Sequence, residues 1–135
     1  MRYRTTVAAL LAMFTVTPAH ADEAIWSALK DGGKVVLMRH AAVDRSSGNP
    51  TLHTSGDCSK ELNLSKLGRE QAKRIGEMFR ARGVFTGDVL ASPYCRTMDT
   101  GRLAFGNVKP SEAMRLIEGI GAREIERINA QAMRL

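Results

Sequence analysis

The stretch that most constrains this chain is Lys34-Val35-Val36-Leu37-Met38-Arg39-His40. Four consecutive large hydrophobes, two of them β-branched, stand between Gly32-Gly33 and a long polar segment. A short apolar run bounded by turn residues predicts a strand buried on both faces. Strands of that kind belong to parallel or mixed sheets covered by helices, so the expected fold class is α/β. Open α/β sheets bind their ligands beyond the carboxyl ends of the strands. Arg39 and His40 fall at that end, and a cation beside an imidazole predicts an anion site with a nucleophile or proton carrier in it. The bland alternative for His40 is a core or capping histidine.

The whole chain has 135 residues, enough for one domain with a modest core, and no internal repeat is visible. Its start reads as a secretory signal. Arg2 and Arg4 precede an apolar run from Val7 to Val16, and Ala19-His20-Ala21 supplies a small-x-small cleavage site. The expected organisation is a signal over residues 1–21 and a mature domain over residues 22–135. The apolar run is short for a bilayer span, so the expectation is a periplasmic or secreted protein without stable membrane insertion after cleavage. Loss of the two arginines lowers the formal charge from +6 to +4. That surplus suits an anionic substrate, and no basic run with interleaved aromatics argues for nucleic acid. In an oxidising compartment Cys58 and Cys95 either pair or remain as two buried thiols, and no C-x-x-C metal spacing is present.

Periodicity supplies the remaining elements. Ile25, Trp26 and Leu29 predict a short helix from Asp22 that covers an end of the sheet. Ala41 to Leu62 reads as a long loop at the mouth of the site, where Asp44, Arg45, Ser46 and Asn49 are either substrate contacts or solvated residues. From Ser65 to Arg82 the pattern predicts a helix capped by Ser65, with Leu67, Ile75 and Phe79 on one stripe, Met78 and Ala72 beside it, and charge opposite. Gly83 ends it. Asp88 to Ala91 is a second expected strand. Ser92 and Pro93 then suit the cap and first position of a helix running to about Phe105, which puts Arg96 in a first helical turn after a strand. Backbone N–H groups there favour an anion, and a guanidinium can grip phosphate through two bonds. Met114 to Ile117 is a third expected strand, followed by Glu118. Ile125, Ile128 and Met133 predict a final amphipathic helix after Gly121.

Leu37-Met38-Arg39-His40 and Ser92-Pro93-Tyr94-Cys95-Arg96-Thr97, with Asn63-Leu64-Ser65-x-x-Gly68 and Gln71-Ala72 between them, resemble the histidine phosphatase superfamily in its phosphoglycerate-mutase-like branch. The resemblance spans about residues 34–106 and is closest to small exported bacterial members. It implies a three-layer αβα fold with a mostly parallel sheet. It also implies a phosphomonoesterase in which His40 is the nucleophile, Arg39 and Arg96 bind the phosphoryl oxygens, and Glu118 protonates the leaving group. No metal or other cofactor is implied. The expected partner is a small phosphomonoester or phosphorylated sugar, and oligomeric state is left open. Departures from the family pattern are Ala41 where a glycine usually follows the histidine, and Gly101 where a small alanine is common. A later Gly-His pair, which supplies the family's second catalytic histidine, does not occur before Leu135. The chain therefore reads as the first two-thirds of the domain, with phosphate binding without turnover, or a non-functional fragment, as the alternatives to an active hydrolase.

Overall fold

The computed structural model describes residues 20–46, 56–115 and 121–134. Among these the chain forms four α-helices and a two-stranded parallel sheet, a small α/β arrangement. Most of the expected signal, part of the long loop with Asn49 and His53, and the stretch holding Glu118 lie outside the described residues.

Helix α1 spans His20–Lys30 and so runs across the boundary expected before Asp22. It packs on another helix rather than on the end of a sheet. Trp26 meets Phe79 edge-on at 5.3 Å, Phe79 meets Phe105 in the same way at 5.3 Å, and Arg82 lies 4.8 Å over the Trp26 ring. Such edge-to-face pairs align the positive ring edge with a negative ring face.

Helix α2 spans Lys66–Ala81. Its start follows the expected chemistry, because the Ser65 hydroxyl accepts from the Gly68 N–H at 3.0 Å. Its end does too. Gly83 adopts φ +66°, and the Gly83 and Val84 amides donate back to the Arg80 and Phe79 carbonyls, satisfying the last turn. The packing face differs from the expected stripe. Leu67 is exposed and Ile75 and Met78 line an open hollow, while Gly68, Ala72 and Gly76 are the buried residues. The reason is distance: a β-carbon on Gly76 would collide with the Ala104 carbonyl, and one on Gly68 with the Ala42 carbonyl. Small residues one turn apart let α2 lie against its neighbours at backbone contact, and Arg80 adds a bond to the Ala104 carbonyl at 3.1 Å.

Strand β1 is Leu90–Ala91, shorter than expected, and helix α3 follows at Cys95–Phe105. The helix starts two residues later than its sequence suggests, with Tyr94 rather than Ser92 at the capping position. Gly101 sits where a β-carbon would come within 2.8 Å of Val108 Cγ2, which accounts for glycine where alanine is common. Strand β2, Lys109–Pro110, pairs in parallel with β1. Proline is tolerated in it because the ladder uses the flanking amides: Lys109 donates to Val89 and Ser111 to Ala91, at 2.9 and 2.8 Å. Of the third expected strand, Met114 lies in a 3₁₀ turn, and Leu116 and Ile117 lie outside the described residues. The chain pairs at 109–110, and Glu112–Met114 coils into a 3₁₀ turn. Helix α4, Ala122–Ala132, buries Ile128 as its periodicity predicts and leaves Met133 exposed.

The largest correction concerns Lys34 to His40. No strand forms there and none pairs with it among the described residues. Exposure alternates at 89, 52, 83 and 46% for Val35, Val36, Leu37 and Met38, the two-residue period expected of a strand but without a covering layer.

Candidate active site

The residues after His40, not those before it, fix the site. Ala41 N–H donates to the Thr100 hydroxyl at 3.1 Å, and that hydroxyl donates to the Arg96 carbonyl at 2.7 Å. Ala42 N–H donates to Gln71 Oε1 at 3.1 Å, and the Ala42 carbonyl accepts from the Ser65 N–H at 3.0 Å. Val43 bridges Leu64 in antiparallel fashion, and Asp44 N–H donates to the Asn63 carbonyl at 2.9 Å. Ala41 itself is buried against Leu64 and Ala72 with a negative φ, so its methyl group fills the core where glycine would leave a gap.

His40 is half-buried, and its Nδ1 lies 2.8 Å from the Ala41 carbonyl. A carbonyl can only accept, so Nδ1 carries a proton, and the tautomer that fits this contact has its lone pair on Nε2. Arg39 and His40 share one open hollow of about 400 Å³ with Gln71, Arg74, Ile75 and Met78. Helix α2 thus contributes one cation, one amide and two apolar side chains to the wall.

Arg96 is not a wall of that hollow. It lies in the first turn of α3, only 6% exposed, with its guanidinium carbon 4.4 Å over the Tyr94 ring. Its Nη1 is buried and has no hydrogen-bond partner among the described residues. A desolvated guanidinium N–H without an acceptor is costly, and an anionic oxygen is the natural remedy. The link from Arg96 to the histidine runs through Thr100 to Ala41.

Beside the site, Cys58 and Cys95 are joined in a disulfide, resolving the alternatives left open by their number alone. The bond ties the 3₁₀ turn Cys58–Lys60 to the first residue of α3. Of the loop residues, Asp44 accepts from both the amide and the hydroxyl of Ser46, which holds its carboxyl below the usual value. Asp57 is lowered in the same way by the Ser59 hydroxyl and amide. These pairs shape turns. Arg45 is exposed.

Comparison with known families supplies the remaining observation: residues 35–132 match the model of the histidine phosphatase superfamily (branch 1). The chain belongs to the histidine phosphatase superfamily. No curated protein and no solved structure matches it. Membership covers the Arg39-His40 pair, the Thr100 and Gln71 tethers and the buried Arg96 in one matched segment. Among the described residues of this superfamily member, no helix is long and apolar enough to cross a membrane.

Residue reasoning missed Thr100, Arg74 and Glu61. Thr100 had a signal, being four residues after Arg96 and so on the same helical face. Arg74 belongs to the charged face opposite the apolar stripe of α2, and it is exposed while lining the hollow. Glu61 carried none, because nothing in a loop sequence marks which carboxylate will be buried.

Proposed function

We propose that the chain hydrolyses small phosphomonoesters through a phosphohistidine at His40. The observation that carries this reading is the Nδ1 contact to the Ala41 carbonyl, which selects the tautomer with its lone pair on Nε2, in a residue that lines an open hollow with Arg39 and Arg74. In the reaction Nε2 attacks phosphorus in line with the ester oxygen. The N–P bond forms, the P–O bond to the leaving group breaks, and the departing alkoxide takes a proton from an acid. Glu118, outside the described residues, is the proposed donor. Water then attacks phosphorus and gives a proton back to that carboxylate, the N–P bond breaks, and inorganic phosphate leaves. Arg39 balances the phosphoryl charge, and the unpaired Arg96 Nη1 is the proposed second donor to its oxygens.

Export to the periplasm or beyond belongs to the same reading. Its support is the Cys58–Cys95 bond, since structural disulfides persist in oxidising compartments. The parallel β1–β2 pair likewise supports the three-layer architecture of the family.

The test is hydrolysis of p-nitrophenyl phosphate by the purified protein without added metal, beside His40→Ala. The expected loss is roughly 10³-fold or more, the scale on which nucleophile removal acts. A phosphoprotein trapped at alkaline pH should be absent from the variant. Equal rates in both proteins would end the proposal. The second reading, phosphate binding without turnover, is favoured by one fact: Arg96 does not line the hollow of His40. Saturable phosphate binding with no phosphohistidine would select it.

A further inference from the structure

Among the described residues, the reaction above leaves the buried carboxyl group of Glu61 unused. Glu61 is 3% exposed, and carboxylates are rarely buried unless their oxygens are satisfied. Its Oε2 accepts from the Cys95 N–H at 2.8 Å. Cys95 is the first residue of α3, and Tyr94 before it makes no capping bond with its own side chain. The helix is therefore capped from 34 residues upstream, by an anion placed at the positive end of its dipole.

The neighbours of the capped amide give this cap its consequence. Tyr94 provides the ring and Arg96 the guanidinium that stacks on it, one residue to either side of Cys95. Glu61 is itself braced. The Cys58–Cys95 bond ties its turn to the same helix end, and Asn63 Nδ2 donates to the Cys58 and Glu61 carbonyls at 2.5 and 3.1 Å. We propose that Glu61 is the positioning residue of Arg96: it fixes the first turn of α3 so that the guanidinium stays on Tyr94 with Nη1 unspent. A carboxylate bonded to Nη1 itself would consume the donor that an incoming phosphate needs. Capping the adjacent amide holds the arginine and leaves that donor open.

The inference rests on the phosphatase reading for its purpose but not for its geometry, and the test separates the two. The full chain, labelled with ¹⁵N, gives the Arg96 Nε–H signal, shifted by the Tyr94 ring. Inorganic phosphate is titrated by ³¹P NMR. In Glu61→Ala the Arg96 signal should move toward that of a free arginine, and phosphate affinity should fall about tenfold, the worth of one charge-assisted bond. Glu61→Gln keeps an acceptor oxygen at full reach and should retain both properties within about twofold. Glu61→Ala should cost no further affinity in an Arg96→Ala background, because the two act as a unit.

An unmoved Arg96 signal in Glu61→Ala overturns the proposal, as does a lowered melting temperature with signal and affinity both intact. Should Glu61→Ala not fold, Glu61→Asp carries the test, its carboxylate one methylene short of the amide. If the signal moves while the wild type binds no phosphate, the phosphatase reading fails and the placement of Arg96 by Glu61 stands.

Discussion

Residues 34–38 and 41–44 flank Arg39-His40, and they are held in opposite ways. The first has the stronger strand propensity, with two valines, a leucine and a methionine, yet among the described residues Val35 to Met38 make no hydrogen bond. The second begins with two alanines, poor strand formers, and is fixed at nearly every residue by Thr100, Gln71, Ser65, Asn63 and Leu64. Strand propensity alone therefore does not tether a segment; pairing and close approach do. The catalytic assignment of His40 rests on the second segment, because its ring nitrogen bonds to the Ala41 carbonyl.

The strongest way to break this comparison is to release the loop that supplies Asn63 and Leu64. Replacing both Cys58 and Cys95 by serine reopens a sequence separation of 37 residues. The chain-entropy cost is about 3–4 kcal/mol, read as a lower denaturation midpoint in urea. Next is Gly68→Ala. Its new methyl group meets the Ala42 carbonyl, a backbone atom that cannot rotate aside. A loss of about 2–3 kcal/mol is expected, despite the gain in helix propensity. An unchanged midpoint would mean that 41–44 does not lie against α2.

Thr100→Val sharpens the same point at lower cost. Valine keeps the volume but leaves the buried Ala41 N–H without an acceptor. The expected destabilisation is about 1–2 kcal/mol, with faster amide exchange at Ala41 than at Ala42. Equal exchange at the two amides would show that the Thr100 tether is not what holds the segment.

How much of this was legible follows from range. Helix α2 was readable from end to end because Ser65 and Gly83 act through bonds within a few residues of themselves. Arg96 in a first helical turn was readable for the same reason. Gly68 and Gly76 carry no signal in an apolar pattern, since their value lies in carbonyls of Ala42 and Ala104 that no local pattern displays. Glu61 was invisible because its partner lies 34 residues away. The disulfide stood between, as two cysteines admit one intramolecular pairing but do not reveal whether it forms. The strand at 109–110 went unread for another cause: Lys109-Pro110 looks wrong for a strand until the ladder is seen to use the amides beside the proline.

The smallest expected effect is the most informative about the first segment. Val35 and Leu37 are 89 and 83% exposed, so a Val35→Thr/Leu37→Gln pair removes almost no buried area. Stability should change by less than about 0.5 kcal/mol, the range of surface substitutions away from special features. Buried in a sheet covered on both faces, the same two changes would cost about 3 kcal/mol or more, from lost transfer energy and newly buried polar atoms. Urea unfolding separates these values easily. A near-zero result means that Arg39-His40 is positioned wholly from its carboxyl side, by Ala41, Ala42 and their tethers. A large loss would instead show that 34–38 is covered in the folded protein, and the histidine would then be held from both sides.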